Sequence, residues 1–158
     1  SILDVARTGE LELNADLCHQ GLSDCQFCTV AYCVLDVRTL TLTCSRAGHP
    51  EPVLLRADGS VELLQAPGPL LGIFPEATFT SGQTQLQPGD RLVLYSDGAE
   101  PALFGPPEDG LPDIAEAMRP WAGVPREDMV VEITERIDRT RDQGEPDDVT
   151  LIVLDVAD

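Results

Sequence analysis

Basic residues are scarce in this chain. Lysine and arginine total 10 against 28 aspartates and glutamates, a formal net charge of −18 over 158 residues. So acidic a surface repels phosphate backbones and anionic headgroups, which speaks against nucleic acid and the membrane surface as partners. Long apolar runs are absent too: none approaches the roughly 18 residues that a membrane-spanning helix needs, and no signal-peptide pattern opens the sequence. An initiator methionine is missing. Ser1-Ile2-Leu3-Asp4-Val5 reads as the middle of an amphipathic element, so the expectation is one segment of a longer polypeptide.

An even cysteine set is also lacking. Cys18, Cys25, Cys28, Cys33 and Cys44 make five. With no secretory signal, that count argues against a disulfide framework and for a reducing, cytoplasmic compartment. Cys25 and Cys28 have the two-residue spacing of a zinc knuckle, with Cys18 and His19 nearby, yet no second pair follows at finger-like spacing. Cys28 and Cys33 fall five residues apart in the strand candidate Phe27 to Leu35 and should point to opposite faces. Reduced, metal-free thiols are the expectation.

What is present suffices for one domain, residues 1–158, with 42% hydrophobic residues. A chain of this size buries roughly 68–70% of its unfolded surface. The acidity either keeps the domain soluble or, in part, converges on a divalent cation.

Ile2 to roughly Cys18 spaces Leu3, Leu11, Leu13 and Leu17 among polar residues and predicts a helix, weakened by Gly9. Phe27 to Leu35 is almost continuously apolar, the pattern of a strand buried on both faces. Thr39 to Cys44 alternates strictly, as a half-exposed strand does, with Asp36-Val37-Arg38 as the hairpin between them. Val53 to Leu55 and Val61 to Leu64 flank Asp58-Gly59, a strong hairpin signal. Gly68 to Gly72 is a loop, Thr78 to Leu86 alternates, and Arg91 to Ser96 is another buried strand. Pro101 to Pro112 reads as a loop or flap. Asp113 to Arg119 is a short helix candidate, and Arg126 to roughly Arg141 a longer one. Pro125, Glu127 and Asp128 suit the start of the second, Arg136, Arg139 and Arg141 its end, and Met129, Ile133 and Ile137 form one face. Val149 to Leu154 is a last, buried strand. Hairpins followed by segregated helices indicate an α+β fold rather than alternating α/β.

Two acidic positions could carry chemistry. Asp97 directly follows the strand Arg91–Ser96, and Asp147-Asp148 directly precedes the strand Val149–Leu154. If these strands are neighbours and antiparallel, or run in parallel with a shift, a strand end and a strand start bring carboxylates together, and a divalent ion relieves their repulsion. Ser-Asp-Gly and Pro-Asp-Asp are also common turn sequences, so both readings stand.

Five segments resemble the PPM-type (type 2C-like) serine/threonine protein phosphatases, in the bacterial branch typified by sporulation stage II protein E. Phe27 to Asp36 resembles F-x-T-x-x-Y-x-x-L-D. Arg46 to Pro52 resembles N-A-G-H-P-P-P, with Arg46 in place of the usual Asn. Gly68 to Gly72 resembles G-x-P-L-G, Pro88 to Gly98 resembles P-G-D-x-L-x-L-Y-T-D-G, and Asp147 to Leu151 resembles D-D-x-T-L. The resemblance implies two antiparallel sheets packed face to face with helices outside. It implies a two-metal site, with Mn2+ or Mg2+, that hydrolyses phosphoserine or phosphothreonine on a regulatory partner protein such as an anti-sigma-factor antagonist. Asp97 and Asp147 match metal-ligand positions; His49 is assigned a turn role, because hard cations prefer oxygen.

The family's site also uses an Asp from a Gly-Gly-Asp strand and another from an Asp-x-x-Gly-His-Gly turn. Neither motif occurs here. The expectation is therefore a partial, N-terminally truncated phosphatase domain with little activity as it stands, whose unpaired sheet edges favour homo-oligomers. The other reading is a non-catalytic, phosphatase-like regulatory or protein-binding module.

Overall fold

The computed structural model describes residues 2–20, 27–105, 113–141 and 148–157. Its elements run α1 (Ile2–His19), β1 (Val30–Asp36), β2 (Thr41–Ala47), β3 (Val53–Leu55), β4 (Val61–Leu63), β5 (Ser81–Gln85) and β6 (Arg91–Tyr95). A 3-10 turn (Asp97–Ala99), α2 (Glu100–Phe104), α3 (Ile114–Met118), a second 3-10 turn (Arg119–Trp121), α4 (Arg126–Arg141) and β7 (Leu151–Asp155) follow. The strands form two antiparallel sheets, ordered β1-β2-β5 and β4-β3-β6-β7, so the α+β expectation is met. Among the described residues no helix is long and apolar enough to cross a membrane.

The chain divides into two units, each discontinuous in sequence: Ser1–Glu51 with Leu64–Leu86, and Pro52–Leu63 with Gln87–Asp158. In the first, β2 is the central strand. Its alternating pattern predicts a half-exposed strand, yet Leu42, Thr43, Cys44 and Ser45 are all buried. Hydrogen bonds make that possible. Thr43 Oγ1 accepts from Gln83 Nε2 at 3.2 Å, and Ser45 Oγ donates to the Thr80 carbonyl at 2.8 Å, so neither hydroxyl loses its partners on leaving water. The reverse holds for β1, whose apolar run predicts burial on both faces. It starts at Val30, lies at a sheet edge and leaves Tyr32 exposed. Cys28 precedes the strand, in an isolated bridge to Leu71, so the opposite-face argument for Cys28 and Cys33 loses its premise. The hairpin spans residues 37–40, not Asp36 to Arg38, with Leu40 at a positive φ of 52°.

Helix α1 forms where expected but turns a different face inward. Leu11 and Leu13 are exposed, while Glu10 and Asn14 are buried and Leu17 is half-buried. Asn14 replaces water with main chain: its Nδ2 donates to the Phe74 carbonyl at 3.0 Å and its Oδ1 accepts from Gly72 N at 2.9 Å. Glu10 accepts from the Ser45 hydroxyl, and burial pushes its carboxyl above the ordinary range. The two glycine-bearing turns of this unit meet each other. Gly48 has φ +64° and donates to the Gly68 carbonyl at 3.1 Å, and a Cβ on either residue would collide with the other turn's strand or loop.

In the second unit, Val53, Leu55, Val93 and Tyr95 of the sheet pack on Ala102, Leu103, Met118, Trp121, Met129 and Ile133 from the helices. The α4 face matches its periodicity, with Met129 and Ile133 fully buried. Residues from Pro101, expected as loop, instead form α2. Proline is tolerated in a first helical turn, where its missing N–H has no partner to lose, and Ala102 and Leu103 supply the buried side. The stretch 106–112 lies outside the described residues. Strand β7, expected to be buried, is an edge: Leu151 and Val153 join the core while Ile152 and Leu154 are exposed.

The chain has no lysine and ten arginines, whose planar fork suits bidentate pairing. Arg56 bridges Glu62 at 2.6 Å and the buried Asp90 at 2.8 Å. Asp90 also accepts from the amides of Ala57 at 3.0 Å and Gln87 at 2.9 Å, clamping the Pro88-Gly89-Asp90 turn to the β3–β4 hairpin. Replacing Asp90 by alanine leaves the amides of Ala57 and Gln87 without their acceptor and takes one of two carboxylates from the half-buried Arg56. The expected cost is about 3 kcal/mol, a fall in melting temperature of roughly 6–12 °C. A thermal melt of Asp90→Ala within about 2 °C of the parent contradicts this.

Candidate functional site

The candidate site is built at one end of the β6–β7 ladder. The two strands pair from Arg91↔Asp155 to Tyr95↔Leu151. Ser96 extends the pairing: its amide donates to the Thr150 carbonyl at 3.0 Å, its Oγ accepts from Thr150 N at 2.8 Å, and that Oγ donates to the Asp148 carbonyl at 3.1 Å. The end of β6 and the start of β7 are thus fixed side by side, the neighbouring antiparallel arrangement considered from sequence. Asp97 emerges here, exposed, at the head of the 3-10 turn, with Oδ1 accepting from Gly98 N at 3.1 Å. Asp148 lies exposed at the same end. Asp147 falls outside the described residues.

Sequence reasoning passed over Glu100. It opens α2, is half-buried, and its carboxyl is pushed above the ordinary range by burial and by the negative charge of Asp97. The available signal was an acid three residues after Asp97 at a helix start, where acids face the positive end of the dipole. Among the described residues neither Asp97 nor Glu100 has an ion-pair partner. Their oxygens are the hard donors that Mg2+ and Mn2+ prefer, and a cation would relieve the repulsion that Glu100 feels. In kind the donors fit. In number they fall short, since among the described residues no group of three or more His, Cys, Asp or Glu side chains could hold a metal.

His49 takes the turn role. It is half-buried, with Nδ1 3.1 Å from the Pro50 carbonyl, and its own carbonyl accepts from Arg46. Arg46, where the family has Asn, also pairs with Glu51 at 3.1 Å, so the departure is met locally by one fork holding both ends of the turn. Cys18, Cys28, Cys33 and Cys44 are free thiols, and Cys25 falls outside the described residues.

Two sheets, four helices and an acidic turn at a strand end define the fold of the type 2C phosphatase domains. The phosphatase domain of SpoIIE from Bacillus subtilis, solved after presoaking with Mn, superposes with a TM-score of 0.60 at 20% identity, over 83% of this chain and 57% of that one. The sequence matches the family "Stage II sporulation protein E (SpoIIE)" over residues 10–157, and the chain belongs to that family. It is 28% identical over 139 residues to the phosphoserine phosphatase RsbU of Bacillus subtilis (strain 168), which covers 85% of this chain. It is 32% identical over 72 residues to the phosphoserine phosphatase RsbP of the same organism, which covers 46% of this chain. The matched stretches span 41% of RsbU and 18% of RsbP.

The raised Glu100 carboxyl has a signed consequence. A carboxyl whose folded value lies above its unfolded one contributes most below the unfolded pKa, and its contribution is lost as pH rises through the folded one. Glu100→Gln should therefore melt with the parent near pH 4 and above it at pH 7 in the absence of divalent ions. Thermal melts at the two pH values check this; a Gln variant less stable at pH 7 contradicts it.

Proposed function

We propose that this chain is part of a metal-dependent phosphatase acting on phosphoserine or phosphothreonine of a regulatory partner protein, with Asp97 and Asp147 as metal ligands. The observation that carries the reading is the β6–β7 pairing, extended through Ser96, which brings the Asp97 turn and the Asp148–Thr150 segment to one sheet end. Two relatives named phosphoserine phosphatases support it. When bound, divalent ions polarise phosphoryl oxygens and make bound water a stronger nucleophile. The chain's own part is to hold them. Asp97 offers an exposed carboxylate on a turn whose backbone is pinned by Ser96, and Glu100 adds a second carboxylate beside it. A phosphoprotein meets strong repulsion from a chain of charge −18, so the acidic turn alone does not bind phosphate and needs cations to do so. Mn2+ or Mg2+ fits the oxygen donors, and an anti-sigma-factor antagonist is the class of partner the family resemblance suggests.

The second reading, a non-catalytic phosphatase-like module, is favoured by one observation: the shortage of converging ligands among the described residues. One comparison separates the two. As it stands, the chain should bind Mn2+ no tighter than about 10⁻⁴ M, because ligand number and rigidity set affinity, and should hardly hydrolyse a phosphoserine peptide. A longer form carrying the family's two further aspartates should be active with Mn2+. In that form Asp97→Asn or Asp147→Asn should lower the rate at least about 100-fold, the loss of a few kcal/mol of cation-held charge stabilisation. An inert longer form establishes the module reading. Full activity in the shorter form overturns the account of missing ligands.

A further inference from the structure

Cys33 and Cys44 face each other across the β1–β2 ladder as direct register partners, and their sulfurs lie 2.9 Å apart. A disulfide needs about 2.05 Å between sulfurs, so closing this pair takes a movement of less than about 1 Å. Neither sulfur is in a disulfide. Their surroundings differ. Cys33 is half-buried in the edge strand, whereas Cys44 is buried, 3% exposed, in the central one. A small oxidant therefore meets Cys33 first. The contact between the two sulfurs pulls the Cys33 thiol down against burial and the charge of Glu10, while the same contact and burial push Cys44 far up. Cys18 and Cys28 have other neighbours: the Cys18 sulfur is near Asn14 Oδ1 and the Cys28 sulfur near the Thr29 carbonyl.

We propose that Cys33 and Cys44 form a peroxide-sensitive dithiol, a modification site in which Cys33 is attacked first and Cys44 resolves it into a cross-strand disulfide. The Cys33 thiolate attacks one peroxide oxygen, the O–O bond breaks, and Cys33 becomes a sulfenic acid as hydroxide leaves. The Cys44 sulfur then displaces the sulfenic oxygen, forming the S–S bond and releasing water, its proton leaving with that oxygen. The two thiols lose two electrons together and the peroxide is reduced to two waters. Because the partners are already in register, the bond fastens the edge strand β1 to β2 without slipping the ladder. Excess dithiol reverses it.

The test treats the folded protein with one equivalent of hydrogen peroxide, blocks remaining thiols under denaturing conditions, and maps disulfides by peptide mass spectrometry. A Cys33–Cys44 bridge should dominate in the folded protein and lose that dominance when oxidation is carried out in urea. In Cys44→Ser the bridge should vanish and Cys33 should stop at sulfenic acid, going on to sulfinic acid only when a second equivalent of peroxide is added, and Cys44→Ala should behave alike. Since the parent alone gives the pairing, misfolding of a variant does not remove the test. The proposal is overturned if Cys44 pairs mainly with Cys18, Cys25 or Cys28. It is equally overturned if both thiols of the pair stay alkylatable at a dose that oxidises Cys28.

Discussion

Charge is the constraint to which the rest of this structure answers. Twenty-eight acids share ten arginines, so most carboxylates must face water, and a carboxylate taken inside either finds an arginine or several amides or, like Glu10, has its carboxyl pushed up by burial. Asp90 receives both, and with Arg56 it ties the turn before β6 to the β3–β4 hairpin. Arg91 does the same at the other edge, forking onto Asp155 of β7 and the Val124 carbonyl before α4. Strand β6 is therefore held at its start by two buried-side arginines, which fixes where its far end, and Asp97, must emerge. Arg136 pairs with Glu132 and lies 5.0 Å over the Trp121 ring, fastening α4 to the second 3-10 turn.

The periodic segments were legible because one physical signal decides them. Helix α4 has apolar residues on one face, acids at its start and a proline before it, and it folds to the predicted bounds. The β3–β4 hairpin was legible for a similar reason, because Gly59 supplies the positive φ of 84° that the turn requires. Burial of whole strands was less so. Thr43 and Ser45 look solvent-facing until the partners of their hydroxyls are known, and those come from β5 and the segment before it. The apolar runs of β1 and β7 state a tendency to leave water, but an edge position is set by strand order, which no local pattern contains. Helix α1 shows the same limit: Asn14 is buried because two main-chain groups some sixty residues away pair with it, the Phe74 carbonyl accepting and the Gly72 amide donating.

The candidate site was legible in half. Asp97 was found from its place after a buried strand, and the neighbouring antiparallel arrangement of β6 and β7 is one of the two considered from sequence. Glu100 stands directly before Pro101 to Pro112, a segment read as a loop because of its prolines, so the helix that Glu100 opens went unseen. The motifs shared with the family also divide by physical role. The Gly48 and Gly68 turns need glycine because each occupies the space that the other's Cβ would take, and Asp90 in the Pro-Gly-Asp turn is a clamp. Within the Pro88–Gly98 run the same residue type thus does opposite work at two places: Asp90 is buried and fully paired, Asp97 exposed and left open.

That contrast bears on the proposed chemistry. Evolution of a fold under a charge of −18 should disfavour two carboxylates on a single turn of backbone, one of them half-buried, when arginines clamp the unit elsewhere. The Asp97–Glu100 pair is such a case, and its cost is visible in the raised Glu100 carboxyl; the buried Glu10, also raised, is another costly carboxylate. An oxygen-seeking cation bound at the pair would relieve the repulsion. A cation there would also change what the surface can hold, from a field that repels phosphate to one that attracts it. On this argument the arginine clamps around β6 serve the site indirectly, since they keep the turn rigid while its charges repel.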